Sequence, residues 1–156
     1  MGGGLGSSLA DGQWKSLLCP AASKEVDPLV TFEHLKGLSP QEVLGLVEPF
    51  FETAIESLTK IEVRLKGGGK AKQAVHRMAG DAMYVGAKGF GAVMRFLEDE
   101  LGESLSGDEG ITTMGKSLCG SGPGASQPFE ILGAILLDSE KGVRKFLSEC
   151  PPDQPL

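Results

Sequence analysis

The fold is decided by residues 39–65, SPQEVLGLVEPFFETAIESLTKIEVRL, a long amphipathic segment. Ser39 and Glu42 have the spacing of a capping box, and Pro40 occupies the first helical position, so a helix is expected to begin there. Apolar side chains recur at helical spacing from that point to about residue 65: Val43, Leu44, Val47, Phe50, Phe51, Ala54, Ile55, Leu58, Ile61 and Leu65. The pattern predicts one long helix with a single buried face.

Four further helices are predicted outward from this one, at residues 27–37, 71–85, 90–101 and 128–150. The first has Asp27-Pro28 as its start signal and Gly37 as its C-terminal cap, and the last begins at Pro128. No segment shows the alternation of a strand. The sequence therefore predicts an all-α protein, an antiparallel four-helix bundle with an additional short N-terminal helix.

The glycines and prolines set the expected domain organisation. Residues 1–24 are predicted to form a flexible N-terminal tail, residues 25–150 the helical bundle, and residues 151–156 a C-terminal tail. The glycine-rich stretch at residues 102–126 is longer than most helix connections, so it is predicted to be a mobile loop.

Composition excludes several classes of function. The net charge of −6 argues against nucleic acid and anionic membranes as partners, because phosphate groups would be repelled overall. No apolar run approaches the roughly 20 residues of a membrane span. Cys19, Cys119 and Cys150 lack metal-ligand spacing, so free thiols and no metal site are expected. A cytoplasmic location, with access to the nucleus, follows as the expectation.

His76 is the clearest candidate for chemistry in the chain. It lies on a predicted helix, where Gly80 follows one turn later and about 40° around the axis. The missing side chain at Gly80 would leave the imidazole open to solvent. Lys72 lies one turn before His76, and Arg77 lies next to it, so both are candidate cations for an anionic group at the ring.

The residues around His76 resemble the helix motif of histidine-containing phosphotransfer (HPt) domains, His-x-Leu-Lys-Gly-Ser-Ser followed by Gly-Ala. Here the motif reads His76-Arg77-Met78-Ala79-Gly80-Asp81-Ala82, then Gly86-Ala87-Lys88, and the resemblance extends through Phe90, Met94 and Glu98. The helix order and lengths over residues 26–150 are similar to those of the plant and fungal members.

The resemblance implies a phosphocarrier, not an enzyme, in a multistep two-component phosphorelay. His76 would accept a phosphoryl group from one receiver domain and pass it to another, with response regulators and hybrid histidine kinases as partners. Neutral imidazole is a suitable acceptor near pH 7, and the receiver would supply its own magnesium. The resemblance therefore implies no cofactor and no metal in this chain.

Two positions depart from the motif. Ala79 replaces its lysine and Asp81 its first serine, which makes Lys72, Arg77 and Lys88 the candidate phosphate-stabilising cations. An alternative interpretation is a pseudo-HPt binding module, which docks on receiver domains or a histidine kinase without efficient transfer.

Three other patterns compete for a functional role. Residues 110–117, GITTMGKS, match the phosphate-binding P-loop, but no strand is predicted before them, so a chance match in a loop is favoured over an ATP-dependent enzyme. His34 also precedes a lysine and a glycine, but its spacing is one residue short, and it is interpreted as a surface or packing residue. Met78, Met83 and Tyr84 are a candidate docking patch.

Overall fold

The computed structural model describes Leu9 and residues 12–156 of the chain. These residues form an all-helical structure, as predicted, with one isolated antiparallel bridge between Lys70 and Ser106 and no strand among them. The helices are α1 (Pro20–Val26), α2 (Pro40–Lys66), α3 (Lys72–Tyr84), α4 (Lys88–Leu101), α5 (Gly107–Cys119) and α6 (Pro128–Glu149), with four short 3-10 turns between or before them.

Helix α2 begins where the sequence predicts. The Ser39 hydroxyl accepts a hydrogen bond from the Glu42 amide at 3.2 Å, and the Glu42 carboxylate accepts one from the Ser39 amide at 3.0 Å. The capping box is therefore confirmed. The buried face of α2 consists mainly of the predicted apolar residues: Val43, Val47, Phe51, Ala54, Leu58, Ile61 and Leu65.

Helices α3 and α4 form an antiparallel pair with the most extensive contact between any two helices described. Gly91 permits this close approach, because a Cβ atom there would lie 2.8 Å from Met83 Cγ and 3.0 Å from the Ala79 carbonyl oxygen. The turn between the helices contains Gly86, whose φ of 92° favours glycine. The Gly86-Ala87 pair of the sequence motif therefore has a structural role.

The core is arranged around α4 and α2. Helix α4 packs against α1, α3, α5 and α6, while α2 packs against α3, α5 and α6. Buried side chains from all six helices meet in a single cluster: Val26, Leu58, Leu65, Val75, Phe90, Met94, Leu97, Met114, Leu118, Phe129, Ile131 and Leu136. Phe146 of α6 lies outside this cluster and is 43% exposed.

The short N-terminal helix does not lie at residues 27–37. Helix α1 ends at Val26, and Asp27 is extended, with φ −87° and ψ 132°. A residue that precedes proline disfavours the helical region, so Pro28 ends a helix here and does not start one. Only Glu33–Leu35 form a 3-10 turn in the predicted segment.

Residues 12–26, the N-terminal strap, belong to the folded structure. Trp14 is buried against α6, where its indole N–H and the Gly12 amide both donate to the Asp138 carboxylate. The prediction of a flexible tail therefore includes residues 12–24, which contain a 3-10 turn and most of α1. Its remaining part falls on residues 1–11, of which only Leu9 is among those described.

The segment 102–126 is also structured, and the prediction of a loop is wrong there. It contains α5, whose Gly110 packs against Leu105 and Ser104, and whose Gly115 lies directly against Ala125. These glycines allow close packing of backbone, whereas the sequence prediction took them as signs of a connection.

The last residues also contact the fold. The Leu156 amide donates to the Leu38 carbonyl at 2.9 Å, and the Gly37 amide donates to the Leu156 carbonyl at 3.2 Å. The segment 151–156, predicted as a tail, therefore returns to the start of α2.

Candidate functional site

His76 lies on the outer face of α3, opposite the face that packs into the core. Val75, Met78, Ala79 and Ala82 are the buried residues of the helix, whereas the His76 side chain is 71% exposed. A histidine with this exposure contributes little to packing. The predicted access to its ring is therefore present in the structure.

Glu98 of α4 holds one nitrogen of this ring. Both of its carboxylate oxygens lie 3.0 Å from His76 Nδ1, and the Glu98 side chain is only 16% exposed. An ionised carboxylate can only accept a hydrogen bond, so Nδ1 carries the proton and donates it. The lone pair of the neutral ring is consequently on Nε2.

Gly80 leaves the space beside His76 empty. A Cβ atom at Gly80 would meet nothing within 4 Å, and the residue is exposed. No contact in the fold therefore requires glycine at this position, in contrast to Gly91. The role of Gly80 in access to the ring remains a prediction.

Lys72 is the predicted cation that lies closest to the site. It lines one shallow depression with His76, Glu98 and Glu103, together with Arg64, Lys70 and Gln73. Its ammonium is 3.4 Å from a Glu103 carboxylate oxygen, and both side chains of this pair are well exposed. Exposed ion pairs are weak, so Lys72 can exchange Glu103 for an anion bound at His76.

Arg77 and Lys88 lie elsewhere. Arg77 lines the neighbouring groove between α2 and α3, with Lys60 and Asp81. Lys88 begins α4, ten residues before Glu98, which places the two about 15 Å apart along the helix axis. Of the three proposed cations, the structure brings only Lys72 into the depression at the ring.

The two departures from the sequence motif differ in their surroundings. Ala79 is 1% exposed and faces α4, so the lysine position of the motif is filled here by a buried methyl group. Asp81 is exposed in the groove between α2 and α3. Its charge therefore lies away from the His76 depression.

The competing patterns have structural roles. Gly110–Ser117 lie within α5, a helix and not the predicted loop, and no strand precedes them among the described residues, so the geometry of a P-loop is absent there. His34 is exposed on the turn before α2, with its ring stacked on Tyr84 at a centroid distance of 6.2 Å. The predicted docking patch is incomplete, because Met78 is buried while Tyr84 is exposed.

Several residues of the site were not assigned from the sequence. In the sequence Glu98 stands out only within the resemblance, and no pattern indicates Arg64, Lys70 or Glu103. Arg64, Glu98 and Glu103 lie on other elements, and Lys70 lies more than one helical turn before His76. Periodicity within α3 therefore does not indicate any of them. Only the register between helices brings them together.

Comparison with known proteins identifies no relative: no protein-family model, curated protein or solved structure matches the chain. Among the residues described, no three His, Cys, Asp or Glu side chains are grouped as metal ligands would be. None of the described helices is both long enough and apolar enough for a membrane span.

Proposed function

We propose that this protein is a phosphorelay intermediate, in which His76 accepts a phosphoryl group from an aspartyl phosphate of a receiver domain and transfers it to another receiver. The proposal rests on the geometry of the His76 imidazole. Nδ1 is bound to Glu98 at 3.0 Å, while the side chain is 71% exposed beside the open position of Gly80.

The chemistry requires a nucleophile and little else from this chain. The Nε2 lone pair attacks phosphorus, a P–N bond forms, and the P–O bond to the receiver aspartate breaks with departure of its carboxylate. Attack makes the ring cationic, and the Glu98 carboxylate balances this charge through the Nδ1 proton. Lys72 can contact the phosphoryl oxygens, which develop negative charge.

The packing of the helices supports the corresponding architecture. Helix α2 contacts α3, α3 contacts α4, α4 contacts α6, and α6 contacts α2. A closed ring of neighbours is the arrangement of a four-helix bundle. We propose that these four helices form that bundle, with α1 and α5 packed on its outside.

A binding module without efficient transfer is the second candidate. The burial of Ala79 favours it, because no side chain at that position can supply the cation of the motif. Such a module would bind the same receiver domains through the same face. The two functions differ in whether phosphate becomes attached to His76.

Transfer of label from a phosphorylated receiver domain tests the proposal. We expect acid-labile, base-stable label on the chain, lost in His76→Gln and retained in His34→Gln. The second variant is a matched control, because His34 is the only other histidine and is also exposed. Binding of the receiver without label would support the module, and label that survives His76→Gln would contradict the site.

A further inference from the structure

Two of the three cysteines lie next to each other at the contact between the N-terminal strap and α5. The Cys19 amide donates to the Leu118 carbonyl oxygen at 2.7 Å, and this carbonyl belongs to the peptide that joins Leu118 to Cys119. Ordinary bond lengths then limit the separation of the two Cα atoms to about 7 Å. Disulfides usually join Cα atoms that are about 4.4–6.8 Å apart.

The position of each thiol is set by its own contacts. Cys19 Sγ donates to the Ser117 carbonyl at 3.3 Å, so its side chain points to the end of α5. Cys119 Sγ and Leu17 Cβ of the strap lie 2.9 and 3.2 Å from the position that a Cβ atom of Gly124 would occupy. Burial, and secondarily the neighbouring Cys19 thiol, raises the pKa of the Cys119 thiol.

The two thiols differ in access to solvent. Cys119 is buried, whereas Cys19 is half-buried. A dissolved oxidant therefore meets Cys19 before Cys119. Cys150, also half-buried, lies at the end of α6 beside Pro40 and Leu44.

We propose that Cys19 and Cys119 form a reversible disulfide that fixes the N-terminal strap to the end of α5 under oxidising conditions. This is a modification site separate from His76, and it does not depend on the proposed phosphotransfer. With glutathione disulfide as the oxidant, the Cys19 thiolate attacks one sulfur, a mixed disulfide forms, and one glutathione leaves as its thiolate.

In the second step Cys119 attacks Cys19 Sγ, the bond to the second glutathione breaks, and that glutathione takes up the proton. The two cysteines lose two electrons together, and one glutathione disulfide is reduced to two glutathiones. The new bond closes a loop of about 100 residues, which restricts the unfolded chain strongly. We therefore expect the oxidised protein to have a Tm higher by roughly 10 °C.

Oxidation of the full chain in glutathione redox buffers tests the proposal, with intact mass and peptide mapping as readouts. We expect a product that has lost two hydrogens, contains a Cys19–Cys119 peptide, and reverts with a dithiol reductant. Cys150→Ser should form the same product. Cys19→Ser should not form it, and Cys119→Ser should retain glutathione on Cys19.

Other results would overturn the proposal. They are a stable glutathione adduct on Cys19 of the unaltered chain, a linkage to Cys150, and the absence of oxidation in glutathione disulfide alone. A Cys19–Cys119 bond that lowers the Tm would also contradict it, because the native backbone would then have to move to form the bond. The unaltered chain gives each of these readings, so the test does not depend on the folding of Cys119→Ser.

Discussion

At the scale of single residues, the candidate site combines two side chains on different helices, the His76 imidazole and the Glu98 carboxylate. In the proposed phosphotransfer His76 supplies the reactive nitrogen from α3, and Glu98 contacts the opposite nitrogen from α4. The carboxylate is mostly shielded while the ring is mostly exposed. The ring is therefore oriented without being covered.

Removal of the carboxylate should slow transfer. We expect Glu98→Ala to reduce the rate of phosphotransfer to His76 by about tenfold, because a charge-assisted hydrogen bond to a largely exposed ring is lost. Glu98→Gln should have a smaller effect, since an amide oxygen still accepts from Nδ1. Rapid-quench measurement of a single turnover gives both rates. Glu100→Ala, an exposed neighbour on α4, is the control, and an equal loss there would contradict a specific role for Glu98.

Gly80 and Gly45 form a matched pair for testing access. Both are exposed within helices, and a Cβ atom at either would meet nothing within 4 Å. Alanine at either position should raise stability by up to about 1 kcal/mol, measured by urea unfolding. Leucine at Gly80 should slow transfer by about 10–100-fold by covering the ring, whereas Gly45→Leu should not change it. Equal rates for the two leucine variants would exclude Gly80 as an access residue.

The cations can be ranked by the same assay. Lys72 shares the depression of His76, whereas Arg77 lines the groove between α2 and α3. Lys72→Ala should reduce transfer by several-fold, as expected for one solvent-exposed charge near the phosphoryl oxygens. Arg77→Ala should have a smaller effect. The reverse order would show that Arg77 reaches the phosphate.

At the scale of elements, the α3–α4 pair controls the distance between the two site residues. Gly91→Val should lower the free energy of unfolding by about 1–3 kcal/mol, because its side chain would overlap Met83 and the Ala79 backbone. Gly80→Val, on the open face of α3, is the control and should cost less. Chemical denaturation followed by circular dichroism measures both. Equal losses would mean that the helices adjust to fill the space.

Sequence periodicity predicted some elements well and others poorly, for a physical reason. Helices α2, α3, α4 and α6 each bury a regular apolar stripe, which is visible in the sequence. Helix α5 contains three glycines and was missed, because glycine disfavours an isolated helix. Two of those glycines are needed where α5 packs against backbone, at Gly110 and Gly115. Tertiary packing therefore overrides local propensity here.

At the scale of the whole molecule, the N-terminal strap joins the beginning of the described chain to α6 through Asp138. Asp138→Ala would leave the buried indole N–H of Trp14 without its acceptor, at a cost of about 1–3 kcal/mol. We expect a lower urea midpoint and a red-shifted emission spectrum from Trp14, the only tryptophan of the sequence. Asp153→Ala, exposed near the C-terminus, should change neither quantity. An unchanged spectrum in Asp138→Ala would show that the strap stays bound without this carboxylate.

The candidate site was predictable only where it lies within one helix. His76, Gly80 and Lys72 follow from spacing along α3. The Glu98 contact depends on the register of α4 against α3. The strap depends on hydrogen bonds from Gly12 and Trp14 to Asp138, which is 126 and 124 positions further along the chain. A single sequence contains no direct record of such registers, so they were not predicted.

The hydrogen bond between His76 and Glu98 has a consequence for which ring nitrogen would accept phosphate in the proposed function. A histidine in an isolated helix is free to carry its proton on either ring nitrogen. Here the choice is made by a carboxylate on a neighbouring helix, 22 positions away in sequence. A peptide that contained only α3 would therefore keep the histidine and the adjacent glycine but lose the preference for Nε2. The chemical selectivity of the ring is a property of the helix pair.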